Sequence, residues 1–201
     1  DNFNDTPEIA TRTAQWLKQS LHDPKRKHCV GNHDLPYMLK VWHGAYDCPG
    51  FSHLKDVAIN EVLKEEDWVK VVPAVYTQGW LISHAGFSYN LVAHPILGID
   101  PPETLVEKAT AALKEVRNGM WHAWFVAGAR MSEPFPGGIT WSDWNNEFVS
   151  IPGTPQIVGH TPHRNVVWRR VSKDQTDYCV DSCGSEAIVI TDGVVEIVKT
   201  K

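Results

Sequence analysis

Three polar clusters, each placed directly after a short apolar run, hold the residue types best suited to chemistry. They read Cys29-Val30-Gly31-Asn32-His33-Asp34, Leu81-Ile82-Ser83-His84-Ala85-Gly86 and Ile157-Val158-Gly159-His160-Thr161-Pro162. Each apolar run has the composition of a buried strand, and a neighbouring glycine lets the chain turn tightly at its end. Asn32, His84 and His160 are thereby delivered to the rim of a sheet from distant parts of the chain. An amide oxygen with two imidazoles suits a borderline divalent cation such as Mn, Fe or Zn better than Ca or Mg. A single His out of the ten in the chain is ordinarily a core or surface residue. The repeated strand-end placement is what singles these three positions out as a ligand set expected to share one cation.

The elements that must position them can be read from periodicity and punctuation. Thr6 caps a helix running to about Leu21, with Pro7 at its first position and Glu8 favouring its dipole. A short strand, Lys27 to Val30, leads into the first cluster, and Leu35 to Trp42 and His53 to Glu65 read as helical. Trp68 to Val75 and Trp80 to Ser83 read as strands, the second ending at His84. Asp100 caps a long helix that Pro101 begins and Asn118-Gly119 ends. Residues 120–151 contain four of the nine tryptophans, Trp121, Trp124, Trp141 and Trp144, without strand alternation, and read as an insertion or lid. Strands follow at Gln156 to Val158, Val166 to Arg170, Tyr178 to Val180, Ala187 to Thr191 and Val194 to Val198. Asp192-Gly193 marks a hairpin between the last two. The sum is a single α/β domain over residues 1–201.

Composition excludes several classes. The chain has 201 residues, 42% hydrophobic and 21% charged, which fits a globular domain with its own core. Lys and Arg number 19 against 24 Asp and Glu, a formal net charge of −5, so no broad nucleic-acid surface is expected. No apolar run approaches the roughly 18 residues of a membrane helix. The four cysteines are irregularly spaced, which fits a reducing, cytoplasmic setting better than a disulfide framework.

Gly31-Asn32-His33-Asp34, Ser83-His84-Ala85-Gly86 and Gly159-His160-Thr161-Pro162, in that order, resemble the calcineurin-like metallophosphoesterases. Trp141-Ser142-Asp143 is similar to a segment of that family's phosphoprotein-phosphatase branch, and Val180-Asp181-Ser182-Cys183-Gly184 resembles its closing segment. The resemblance covers about Asp1 to Gly193. It implies a layered α/β/β/α sandwich and two divalent metal ions, Mn, Fe or Zn. It also implies hydrolysis of phosphomonoesters or nucleotide phosphoanhydrides by a metal-activated water. The substrate would be a phosphorylated small molecule, a nucleotide or a phosphoprotein. By the same resemblance Asn32, His84 and His160 bind the second metal. His33 serves the leaving group, Asp1 orients His33, and Asn32 and His33 face the phosphate.

The chain also departs from that pattern. It has no early Asp-x-His and no Gly-Asp-x-x-Asp, so it keeps three ligands of one metal and none unique to the other. Asp1 reads as the tail of the second motif, which implies an N-terminally truncated domain lacking its first strand and a fragment with little activity alone. The branch's usual arginines are replaced, with Arg130 and Arg164 as the candidates for phosphate contact. Two alternatives stay open. One is a catalytically impaired, phosphatase-like binding module using its Trp-rich stretch. The other is a structural single-metal protein using His and Cys residues, Cys179 among them.

Overall fold

The computed structural model describes residues 5–41, 44–93, 98–128 and 136–200. Helix α1, Pro7–Leu21, starts as its sequence predicts: the Thr6 hydroxyl accepts the Ile9 N–H at 3.4 Å and Pro7 fills the first turn. Strand β1 is short, His28–Cys29, and its end passes into α2, Leu35–Met38. This helix stops earlier than its sequence predicts. Leu39 turns extended, and the Lys40 N–H bonds to the Arg117 carbonyl instead of continuing the helix.

Helices α3, His53–Val62, and α4, Glu65–Trp68, precede β2, Val71–Val72, and β3, Ala74–Thr77. A single strand is expected from Trp68 to Val75, but Trp68 closes α4 and Pro73 divides the rest. Proline offers no N–H to a ladder, and the two pieces pair in different sheets: β2 runs parallel to β1, whereas β3 runs antiparallel to β4, Trp80–Ser83. Helix α5, Tyr89–Val92, lies where no element was expected. Helix α6, Pro102–Arg117, begins one residue later than predicted, with Pro101 at the cap; Asp100 instead pairs with Lys108 at 2.6 Å.

The later strands are β5, Gln156–Val158, β6, Val167–Arg170, β7, Thr176–Cys179, β8, Glu186–Thr191, and β9, Val194–Lys199. The main sheet is mixed and five-stranded, in the order β3-β4-β5-β7-β6, with β4, β5 and β7 parallel. Strands β8 and β9 form a separate hairpin. Asp192 and Gly193 at its tip take φ of 50° and 80°, both positive, as a two-residue hairpin turn requires.

One main core gathers Val30, Leu35, Leu81, Phe87, Leu105 and Val116 from both halves of the chain. The tryptophan-rich stretch contributes to the interior: Phe125, Ile139, Trp141, Trp144, Phe148 and Ile151 are all buried. Among the described residues no helix is long and apolar enough to cross a membrane. The architecture is α/β with a mixed sheet, in line with the alternation of helix and strand in the sequence.

Candidate active site

The three strand-end residues meet. His84 Nε2 lies 3.0 Å from Asn32 Oδ1 and 3.1 Å from His160 Nδ1, although 52 and 76 residues separate the partners. Each is carried by the carboxyl end of a strand: Asn32 just past β1, His84 directly after β4 and His160 two residues after β5. Strands β4 and β5 are parallel neighbours, so their carboxyl ends share one rim, where ligand sites of α/β sheets form, and Asn32 reaches it from the separate β1–β2 ladder. The ends are stitched together directly. The Gly159 N–H donates to the His84 carbonyl at 2.7 Å, and the Cys29 thiol donates to the Ile82 carbonyl at 3.7 Å.

Local backbone fixes each side chain. The Asp34 carboxylate accepts the Gly31 N–H at 2.8 Å and so clamps the turn that presents Asn32 and His33. Gly31 admits the His84 ring: a Cβ there would sit 3.0 Å from His84 Cε1 and 3.1 Å from Nδ1. His160 takes φ of 68°, at the apex of a three-residue turn closed by the Thr161 N–H on the Gly159 carbonyl at 2.8 Å. A positive φ in such a turn is rare and strained for a residue with a side chain. The Cys179 thiol steadies it, 3.5 Å from the carbonyls of both Gly159 and Thr161.

Burial, then the neighbouring His160 and His33, push the His84 imidazole down to about 3, so it is neutral at physiological pH. A neutral imidazole carries one N–H, which can serve one of two acceptors at a time. Donors about 2.1 Å from one cation at right angles would lie about 3.0 Å apart, which is the spacing of Asn32 Oδ1 and of His160 Nδ1 from His84 Nε2. The residues present therefore fit a single divalent ion. Among the described residues, no group of three or more His, Cys, Asp or Glu side chains gathers to hold a metal. The third polar group at this centre is an amide oxygen, a type outside that set.

His33 follows Asn32 in the chain and is half-buried; burial lowers its pKa against the pull of Asp34. Its Nδ1 lies 3.6 Å from the Cys48 sulfur, a neighbour with no signal in the sequence. Cys48 is not an activated nucleophile, because burial pushes its thiol up to about 11. Burial likewise raises Cys29 to about 11 and raises Cys179. Cys179 supports the His160 turn through the Gly159 and Thr161 carbonyls.

Of the remaining candidates, Asp1 and Arg130 lie outside the described residues. Arg164 is exposed on the loop between β5 and β6. Asp143 accepts backbone N–H groups of Asn145 and Asn146 and shapes its own turn.

No family model matches the chain, and no curated protein is similar to it in sequence. Among solved structures it is similar to the cold-active protein-tyrosine phosphatase of the psychrophile Shewanella sp. The TM-score is 0.52 and the identity 15%, over 94% of this chain and 64% of that one. The chain thus spans just under two thirds of that protein's length. Two further cold-active protein-tyrosine phosphatase structures, one of a point mutant, give TM-scores of 0.46 and 0.48 at 14% and 16% identity. Likeness at this identity concerns the fold. It corrects the expected membership of the calcineurin-like metallophosphoesterases: no family model supports that membership, and the solved structures of similar fold are named protein-tyrosine phosphatases. The physical reason is scale. Short motifs at strand ends fix where a few side chains land and leave the family open.

Proposed function

We propose that this chain hydrolyses phosphate esters at the Asn32–His84–His160 centre, with one divalent cation of the Mn, Fe or Zn class held there. The observation that carries the proposal is the convergence of Asn32 and His160 on the His84 Nε2, each within hydrogen-bonding distance of it. The fold likeness to a protein-tyrosine phosphatase agrees with a phosphorylated substrate, either a phosphoprotein or a smaller phosphomonoester.

A cation in such a site supplies Lewis acidity toward phosphoryl oxygens and makes a nucleophile of water at neutral pH. Asn32 offers its amide oxygen, and His84 and His160 offer imidazole nitrogens. His33 holds a proton for the leaving-group oxygen, from the turn clamped by Asp34. We assign phosphate contact to Arg164 and Arg130, and orientation of His33 to Asp1. Among the described residues no group of three or more His, Cys, Asp or Glu side chains gathers. A centre of two imidazoles and one amide favours a second reading, a phosphatase-like module that binds phosphate groups without turnover. The β1–β2 ladder and the five-stranded sheet, joined through Cys29 and Ile82, are read here as the two inner layers of an α/β/β/α arrangement.

The test is hydrolysis of p-nitrophenyl phosphate with manganese added. Loss of a ligand is expected to cost at least as much as loss of a group supporting one, about a hundredfold. Asn32→Ala and His160→Ala should each lower the rate by that factor while the chain stays folded. An unchanged rate in both contradicts the assignment. Manganese binding without any turnover in the unsubstituted chain selects the second reading.

A further inference from the structure

We propose that the indole N–H of Trp141 donates a hydrogen bond to a phosphoryl oxygen of the bound substrate, an inference that rests on the phosphate-ester reading above. Trp141 is 4% exposed, and its Nε1 is buried with no hydrogen-bond partner among the described residues. Two other buried indoles are satisfied: Trp68 Nε1 donates to Asn60 Oδ1 and Trp80 Nε1 to the Gly193 carbonyl, each at 3.0 Å. Tryptophan nitrogen is a donor only, and a buried donor without an acceptor costs free energy. A fold that leaves one such group beside a reaction centre has kept a donor in reserve for a ligand.

Position supplies the second argument. The Trp141 ring packs edge-to-face on the His160 ring, with centroids 5.9 Å apart and planes at 75°. It belongs to the same small buried cluster as Cys48, whose sulfur is 3.6 Å from His33 Nδ1. The indole is therefore packed on a proposed metal ligand and shares a cluster with the residue beside the proposed leaving-group histidine. Its segment is fastened at two points, each beside an imidazole. The Ala85 N–H, next to His84, donates to the Ile139 carbonyl, and the Trp144 N–H donates to Thr161 Oγ1, next to His160, both at 2.8 Å.

A phosphoryl oxygen is the acceptor that suits this place. It carries negative charge that rises or shifts in the transition state, and a fixed donor in a buried site acts on it without reorganising. Trp141 would thus be a catalytic residue in the sense of touching substrate, distinct from the groups that hold the cation.

The test uses the whole chain with manganese present and inorganic phosphate as the probe. The indole 1H–15N resonance of Trp141, identified as the one missing from Trp141→Phe, should move downfield as phosphate is added. Trp141→Phe keeps an aromatic ring and removes the donor. Its phosphate affinity should fall about tenfold, the size of one hydrogen bond to a charged group. Phosphate binding by the unsubstituted chain with a stationary Trp141 resonance overturns the inference alone. The same holds for Trp141→Phe binding phosphate as tightly as the original. Should the variant not fold, the resonance shift in the unsubstituted chain decides, with the Trp141 peak found by selective labelling. Absence of phosphate binding in the unsubstituted chain overturns this inference together with the phosphate-ester reading.

Discussion

Gly31 and His160 carry the site's geometry between them. A Cβ at position 31 would press on the His84 ring at 3.0 Å and on Asp34 Oδ2 at 3.2 Å, closer than side chains normally approach. Gly31→Ala should therefore shift the His84 ring by a few tenths of an ångström and lower manganese affinity roughly tenfold, the range for disturbed ligand support. Isothermal titration checks it, and unaltered affinity would show that the ring has room to spare. The placement of Asn32, His84 and His160 at strand ends was legible because each follows an apolar run and lies beside a glycine. The proximity of Cys48 to His33 and of Trp141 to His160 was not. Those contacts join segments 15 and 19 residues apart through loops, where no periodicity betrays a shared neighbour. The left-handed turn at His160 was equally silent, since nothing but the preceding glycine hints at tight backbone there.

Elements bounded by capping residues and steady periodicity were readable. Helix α1 and strands β4 and β5 fall where the sequence puts them, and these two strands present His84 and His160. The misreading came at Trp68 to Val75, where an apolar run suits either a helix end or a strand, and tertiary pairing on both sides of Pro73 decided. Helix α4 is held by a buried carboxylate that no local pattern reveals. Asp67 accepts the Lys64 N–H at 2.9 Å and pairs with Lys18 of α1 at 3.1 Å and with His22 at 3.0 Å. Burial opposes its ionisation, but the Lys64 N–H, His22 and Lys18 outweigh that and hold the carboxyl below its ordinary value. A carboxyl with a lowered folded pKa adds stability above its unfolded value of about 4 and loses it as pH falls through the folded value. Asp67→Asn should therefore cost about 1–3 kcal/mol at pH 7. The gap should narrow as pH falls through the folded value, because the native carboxyl is protonating there too. Denaturant unfolding at pH 7 and through the acid range checks this, and a gap independent of pH would deny Asp67 its charged role.

At the scale of the whole molecule, the centre joins residues from positions 32, 84 and 160, so it exists only once β1, β4 and β5 are assembled. The α/β class was legible from the alternation of elements. Family was not, because the motifs that suggested one describe only the rim of a sheet, and the rest of the chain shares its fold with a protein-tyrosine phosphatase at 15% identity. The account stands on a cation at that rim. Crystals grown with manganese, with data collected near its absorption edge, test it most directly. The account predicts an anomalous peak about 2.1–2.3 Å from Asn32 Oδ1, His84 Nε2 and His160 Nδ1 together. A map with no peak at these three atoms, or with manganese bound only elsewhere, would contradict it.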